Sequence, residues 1–135
     1  MIFADYNYPR DPDTFMLVGS LDDLKSHFVK LSEQLEAPLD LPESLVNELG
    51  YDYLRTSKSE QAVAVFRFNT EHHPQSPNTW DSLAEGYERR GETANALADY
   101  RKAVELAETQ HDPGAADFRK YLDRLAAAQP KPSSN

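Results

Sequence analysis

Residues 43–110 write one 34-residue pattern twice, end to end, and this period limits the fold more than any other feature of the chain. Leu49, Tyr53, Arg55, Ala62 and Arg67 return as Leu83, Tyr87, Arg89, Ala96 and Arg101. Other positions keep their size: Gly50 with Ala84, Val63 with Leu97, Phe66 with Tyr100. A unit of this length cannot bury a hydrophobic face alone, so it has to stack on neighbours. Its apolar residues fall at spacings of three and four, the period of an amphipathic helix. The expected class is therefore all-α, built from helix pairs.

The rest of the chain supplies ends for that array. Residues 1–19 hold Phe3, Tyr6, Tyr8 and Phe15 among prolines and aspartates, without helical period. This lead-in either covers the first helix or forms the trailing end of a preceding domain. A first helix is expected from Ser20, a cap for the amide of Asp23, with Leu21, Leu24, Phe28, Leu31 and Leu35 as its apolar stripe, until Ala37-Pro38 stops it. The first repeat (43–76) opens at Pro42, and its first helix runs to about Thr56, with Leu45, Val46, Leu49, Tyr53 and Leu54 available for packing. Ser57 and Glu60 have the spacing of a capping box that would start the second helix, with Ala62, Val65, Phe66 and Asn69 facing inward. Ser76-Pro77 starts the second repeat (77–110), Gly91 breaks it, and Ala96, Leu97, Tyr100, Val104 and Leu106 follow. Ala62 and Ala96 are expected where paired helices approach most closely. Asp112-Pro113 signals a last helix carrying Phe118, Leu122 and Leu125, with Tyr121 at its edge. Residues 20–128 thus form one helical domain, and 129–135, rich in proline and serine, read as a frayed tail. Two repeats bury too little by themselves, so the first and last helices are expected to cap the exposed ends.

Trp80, Leu83, Ala84 and Tyr87, followed by Ala96 and Tyr100, resemble the tetratricopeptide repeat (TPR), which implies a short α-α superhelix. The junction is more particular. Phe66-Arg67-Phe68-Asn69, then Pro74-Gln75-Ser76-Pro77-Asn78, then Asp81-Ser82-Leu83-Ala84-Glu85-Gly86-Tyr87 resembles the C-terminal TPR extensions of bacterial α/β-hydrolase, esterase-like proteins. Residues 20–110 carry that resemblance. It implies a non-catalytic C-terminal piece, with residues 1–19 as the exit from a catalytic domain; a stand-alone TPR adaptor is the alternative. No G-x-S-x-G frames a serine, and no strand–turn–helix reads as a nucleophile elbow, so no catalytic residue carries over.

Composition narrows the function further. A formal net charge of −9 argues against a nucleic-acid surface, which needs a basic stripe. The chain has no cysteine, which excludes disulfides and thiolate metal sites. No apolar run is long enough to span a bilayer, and the first residues lack the pattern of a signal peptide. A soluble protein is expected, in the cytoplasm or periplasm according to the parent. His72-His73 and His111-Asp112 raise the thought of a metal, but adjacent helical histidines point about 100° apart, and histidines near a helix C-terminus complement its dipole. His27 reads as edge packing. No cofactor or metal is expected.

TPR arrays hold peptides or partner helices on a concave face lined by the first helix of each pair. Here that face implies Ser44, Asn47, Tyr51, Leu54 and Arg55 from one copy, with Asn78, Asp81, Glu85, Glu88 and Arg89 from the other. Relatives that grip a C-terminal carboxylate use lysine and asparagine, whereas Asp81 and Glu85 make this groove acidic. A basic or mixed protein partner, the chain's own catalytic domain included, or the N-terminal aromatic segment in cis, are the candidate occupants; a merely solvated face is the alternative. Asn69, matched by Ala103, should be buried and is expected to tie the end of its helix to the start of the next repeat.

Overall fold

The computed structural model describes residues 8–130, so Phe3, Tyr6 and the 131–135 part of the tail lie outside the described residues. Six helices follow one another: α1 Leu21–Leu35, α2 Glu43–Arg55, α3 Ser59–His72, α4 Pro77–Arg89, α5 Thr93–Thr109 and α6 Ala115–Ala127. The fold is all-α. From α2 to α6 each helix packs on the next, and α2 also meets α4, so these two lie side by side in one layer.

The helix starts follow the sequence unevenly. Ser20 caps α1 as expected, with Asp23 answering from its carboxylate to the Ser20 amide at 2.8 Å, a full capping box. Pro77 occupies the first position of α4, but Ser76 does not cap it; its hydroxyl donates instead to Glu43 Oε2 at 2.9 Å. The Ser57–Glu60 capping box does not form. Ser57 has φ 60°, and α3 begins two residues later with no side-chain cap. The reason lies in how the preceding helix ends. Glu36, Ser57, Gly91 and His111 all take the left-handed conformation just past α1, α2, α4 and α5. The following amide then reaches back to the last turn in each case: Lys58 N–H to Tyr53 O at 2.8 Å and Glu92 N–H to Tyr87 O at 2.9 Å are the two within the repeats. This is the Schellman stop, which satisfies otherwise orphaned carbonyls. Ser57 stands 34 residues before Gly91 and does the same work, ending a helix where a start was expected.

Two further boundaries move. The first helix stops at Leu35, before Ala37-Pro38, because Glu36 turns left-handed; Leu35 is left exposed, and Leu39 and Leu41 join the core in its place. The last helix begins at Ala115, since Asp112 Oδ1 accepts the Gly114 amide at 2.7 Å and closes a turn first.

Burial divides into two adjoining clusters. The larger gathers Ala62, Val63, Phe66, Leu83, Ala84, Ala96, Tyr100 and Val104, with Leu122 and Leu125 arriving from α6. Ala62 and Ala96 are both fully buried, as the close approach of paired helices requires. The Phe66 ring lies directly against α2 and α4: a Cβ on Gly50 would come within 2.6 Å of its Cδ1, and one on Gly86 within 3.2 Å of its Cδ2. The smaller cluster joins Leu24 and Phe28 of α1 to Leu45, Val46 and Leu49 of α2, with Tyr8 and Leu17. Leu54 also goes into the larger cluster, so it is core and not a groove residue.

The lead-in is held firmly. Leu17 N–H donates to the buried Asp52 carboxylate at 2.9 Å, Arg10 pairs with Glu48, and Arg10 and Leu17 form an antiparallel bridge. Tyr8 packs edge-on to His27 at 5.1 Å, the edge packing expected of that histidine. This segment therefore covers α1 and the Glu48–Asp52 side of α2.

Candidate functional site

α2 meets α4, and residues 34 apart in the sequence, Asn47 with Asp81 and Tyr51 with Glu85, occupy equivalent turns of the two helices. Asp81, Glu85 and Glu88 share one face of α4, at helical spacings of four and three. Tyr51 closes the facing wall, its ring edge-on to Phe66 at 5.1 Å. Its hydroxyl stands close to Ser82 and Glu85, and burial pushes its pKa up to about 12, with Glu85 and Asp81 adding to the rise.

The carboxylates of this row differ in what they are given. Glu88 accepts from Tyr100 Oη at 2.9 Å and takes both guanidinium nitrogens of Arg124, at 3.0 and 3.1 Å. The Arg124 hydrogen bond, ahead of the other contacts, draws the Glu88 pKa below its usual value. Asp81 and Glu85 form no ion pair among the described residues. Burial, and then the Glu85 charge, hold Asp81 up at about 7. Burial likewise raises Glu85, against the opposing charge of Arg89. Polar atoms on both walls also lack partners. Asn47 Oδ1, Asp81 Oδ1 and Ser82 Oγ are buried without a hydrogen bond of ordinary geometry, and Ser82 is only 1% exposed. Buried polar groups are as a rule paired, so these atoms are open to a donor or acceptor from outside the chain.

The other expected groove residues stay at the rim. Asn78 and Arg89 are exposed, as is Ser44, and Arg55 turns back to Asp52 at 2.9 Å. Sequence reasoning did not find Tyr100, Arg124 or Ser82 as parts of the site. Tyr100 had a signal, since its hydroxyl is what distinguishes it from Phe66. Arg124 had none, because only the packing of α6 on α5 brings it to Glu88, 36 residues away.

Asn69 is buried as expected but ties a different pair of elements. Its Nδ2 donates to Glu43 O at 3.0 Å, so it joins the end of α3 to the start of α2 and not to α4. The α3–α4 turn is held by others: Trp80 Nε1 to Pro74 O and Thr79 Oγ1 to Ser76 O, both 2.9 Å.

A second depression, about 780 Å³, opens between α1, the α1–α2 connection and the end of α3. Phe28, Val29, Leu39 and Phe68 form its apolar part, with Lys25 4.5 Å above the Phe68 ring and His72 stacked on it at 4.0 Å. The His72 Nδ1 lies 2.9 Å from Phe68 O, occupied with the last turn of its own helix. No group of three or more histidine or carboxylate side chains is placed to hold a metal among the described residues, and no described helix is long and apolar enough to cross a membrane. Compared with known proteins, the chain matches no family model and no curated sequence.

Proposed function

We propose that this chain is a non-catalytic, TPR-like interaction module that holds a segment of a protein partner in the groove between α2 and α4. The observation that carries this reading is the pair of walls built from equivalent repeat positions, Asn47 with Asp81 and Tyr51 with Glu85, in which buried polar atoms are left without partners. An extended peptide or a helix with polar side chains would supply the missing hydrogen bonds. The doubled period, the matched Schellman stops at Ser57 and Gly91, and the fully buried Ala62 and Ala96 support the TPR-like part of the proposal. The groove offers acids, phenols and an amide but no activated nucleophile, which favours binding over hydrolysis.

Amide chemical-shift mapping tests it. Peptides added to the labelled chain should perturb Asn47, Tyr51, Asp81 and Glu85 first. Shifts confined to the α1–α3 depression, or none at all, would reject the groove.

A second reading places the module at the C-terminal end of an esterase-like α/β-hydrolase, against its catalytic domain. Beside the junction resemblance, it is favoured by Phe15, 73% exposed, and Val18, 47% exposed, on a segment that Asp52 and Glu48 hold in place. An open reading frame encoding G-x-S-x-G ahead of Met1 would support it; its absence there leaves the stand-alone adaptor. Ester hydrolysis by this chain alone would overturn both.

A further inference from the structure

Asp81, Glu85 and Glu88 form a row of three carboxylates along α4, and among the described residues only the last is in a direct ion pair. Its partner is a guanidinium. Arg124 meets Glu88 with two nitrogens, at 3.0 and 3.1 Å, while Tyr100 donates to the same carboxylate at 2.9 Å. The row thus contains one worked example of what its carboxylates accept, with a tyrosine hydroxyl beside the pair. One turn earlier the surroundings repeat without the cation. Glu85 and Asp81 face Tyr51, as Glu88 faces Tyr100, yet neither forms an ion pair among the described residues; the charge of Arg89 acts on Glu85 without closing a bond to it.

The orphaned atoms point the same way. Asp81 Oδ1 and Asn47 Oδ1 are acceptors that lack donors from the protein, and the Ser82 hydroxyl, 1% exposed, lies beside Tyr51 without a hydrogen bond of ordinary geometry. What is missing is a donor-rich group carrying positive charge, and an ammonium or guanidinium offers three to five N–H bonds with no acceptor to place. The cationic groups around the slot do not fill it. Arg55 is turned to Asp52, Arg89 is exposed at the rim, and Arg124 is taken by Glu88.

We propose that the slot between Asp81 and Glu85 receives a lysine or arginine side chain of a bound peptide, so that the groove selects basic segments of its partner. This deepens the groove-binding reading above and rests on it. Burial holds the protons of both carboxylates more tightly in the free chain, and the positive charge of the entering cation offsets that cost by favouring their ionised forms.

The test uses the full chain with three fluorescent glycine–serine peptides of equal length, one with interspersed arginines, one with glutamates and one uncharged, read by anisotropy. The arginine peptide should bind most tightly. The isosteric pair Asp81→Asn and Glu85→Gln should weaken it by about tenfold or more. Asp117→Asn with Asp123→Asn, which removes the same charge from exposed positions on α6, should change binding by less than about twofold, as expected of distant screened charges. Equal losses in the two pairs would overturn the slot in favour of general charge attraction. An uncharged peptide that binds as well as the basic one, with shifts still mapping to α2 and α4, would overturn the slot and leave the groove standing. If no peptide binds, the groove falls with it.

Discussion

In the first repeat the ring at position 66 is a phenylalanine, shut from solvent between Gly50 and Gly86; in the second the ring at position 100 is a tyrosine whose hydroxyl donates to Glu88. Equivalent places on one repeating pattern have gone in opposite directions. The first copy uses a glycine to draw α2 onto a ring, and puts a buried amide, Asn69, where the second has the methyl of Ala103. The second copy carries Ala84 where the first has Gly50, and on the groove side Asp81 and Glu85 replace Asn47 and Tyr51. The lesson is that a repeat conserves helix spacing while each position's chemistry answers to its own neighbours. Position 50 meets an aromatic edge, so it has no room for a side chain. Position 84 lies fully buried yet tolerates a methyl.

That contrast breaks most sharply at the glycine. Gly50→Ala should cost about 3 kcal/mol in urea unfolding, because its methyl meets the enclosed Phe66 ring. Ala84→Gly at the matching site should cost about 1–2 kcal/mol, from helix propensity and one lost methyl. If the two losses came out equal, the tight Phe66 contact would not be what separates the copies. Tyr100→Phe makes the second repeat imitate the first and should cost about 1 kcal/mol, the hydrogen bond to Glu88. Comparison with Tyr100→Leu, which also removes the ring, shows how much belongs to the hydroxyl. Asn69→Ala makes the first repeat imitate the second. It should cost only about 0.5 kcal/mol, since losing the bond to Glu43 O is offset by removing the unpartnered Oδ1. A loss above about 2 kcal/mol would mean that this oxygen is satisfied after all.

The smallest effect is a slope. Asp81 holds its proton more tightly folded than unfolded, its value moving from 3.8 to about 7. Its contribution to stability is therefore intact below the unfolded value and declines as the pH rises toward 7, because the folded chain then loses a proton that the unfolded chain gave up earlier. The groups facing it are Glu85 on α4, Tyr51 on α2 and Tyr100 on α5. Glu88 slopes the other way, since Arg124 stabilises its ionised form: its contribution is present above the ordinary glutamate value of 4.5 and fades as the pH falls. Asp81→Asn should flatten the decline between about 4 and 7 in melting curves taken at a series of pH values. A decline as steep as in the unaltered chain would show that Asp81 ionises in the fold without penalty.

Much of the array was legible because helix pairs are local. Spacings of three and four located the six helices, and the period placed Ala62 and Ala96 at the close approaches. The misreadings share a cause. Ser57 carries the residue type of a helix start and the register of Gly91, and the register prevailed because a left-handed residue there closes the preceding turn. Leu35 looked like core by period alone, yet the helix ended before another element could cover it. Of the residues expected on the concave face, the acidic row of α4 was legible from helical spacing, whereas Leu54 went into the core and Arg55 was drawn off by Asp52.

What the amino-acid order determined alone was the all-α class, the helix pairs and the acidic sign of the α4 face, since these depend on residues within a turn or a repeat of one another. Only the tertiary structure decided which of those carboxylates is answered. Arg124 arrives from α6 because Leu122 and Leu125 dock on the larger core, and Asp52 is spent on Leu17 because Tyr8 and Leu17 pack beside α2. Pairings across 35 and 36 residues leave no periodic trace, for they arise from hydrophobic faces that bring distant segments together and leave Asp81 and Glu85 without an ion-pair partner among the described residues.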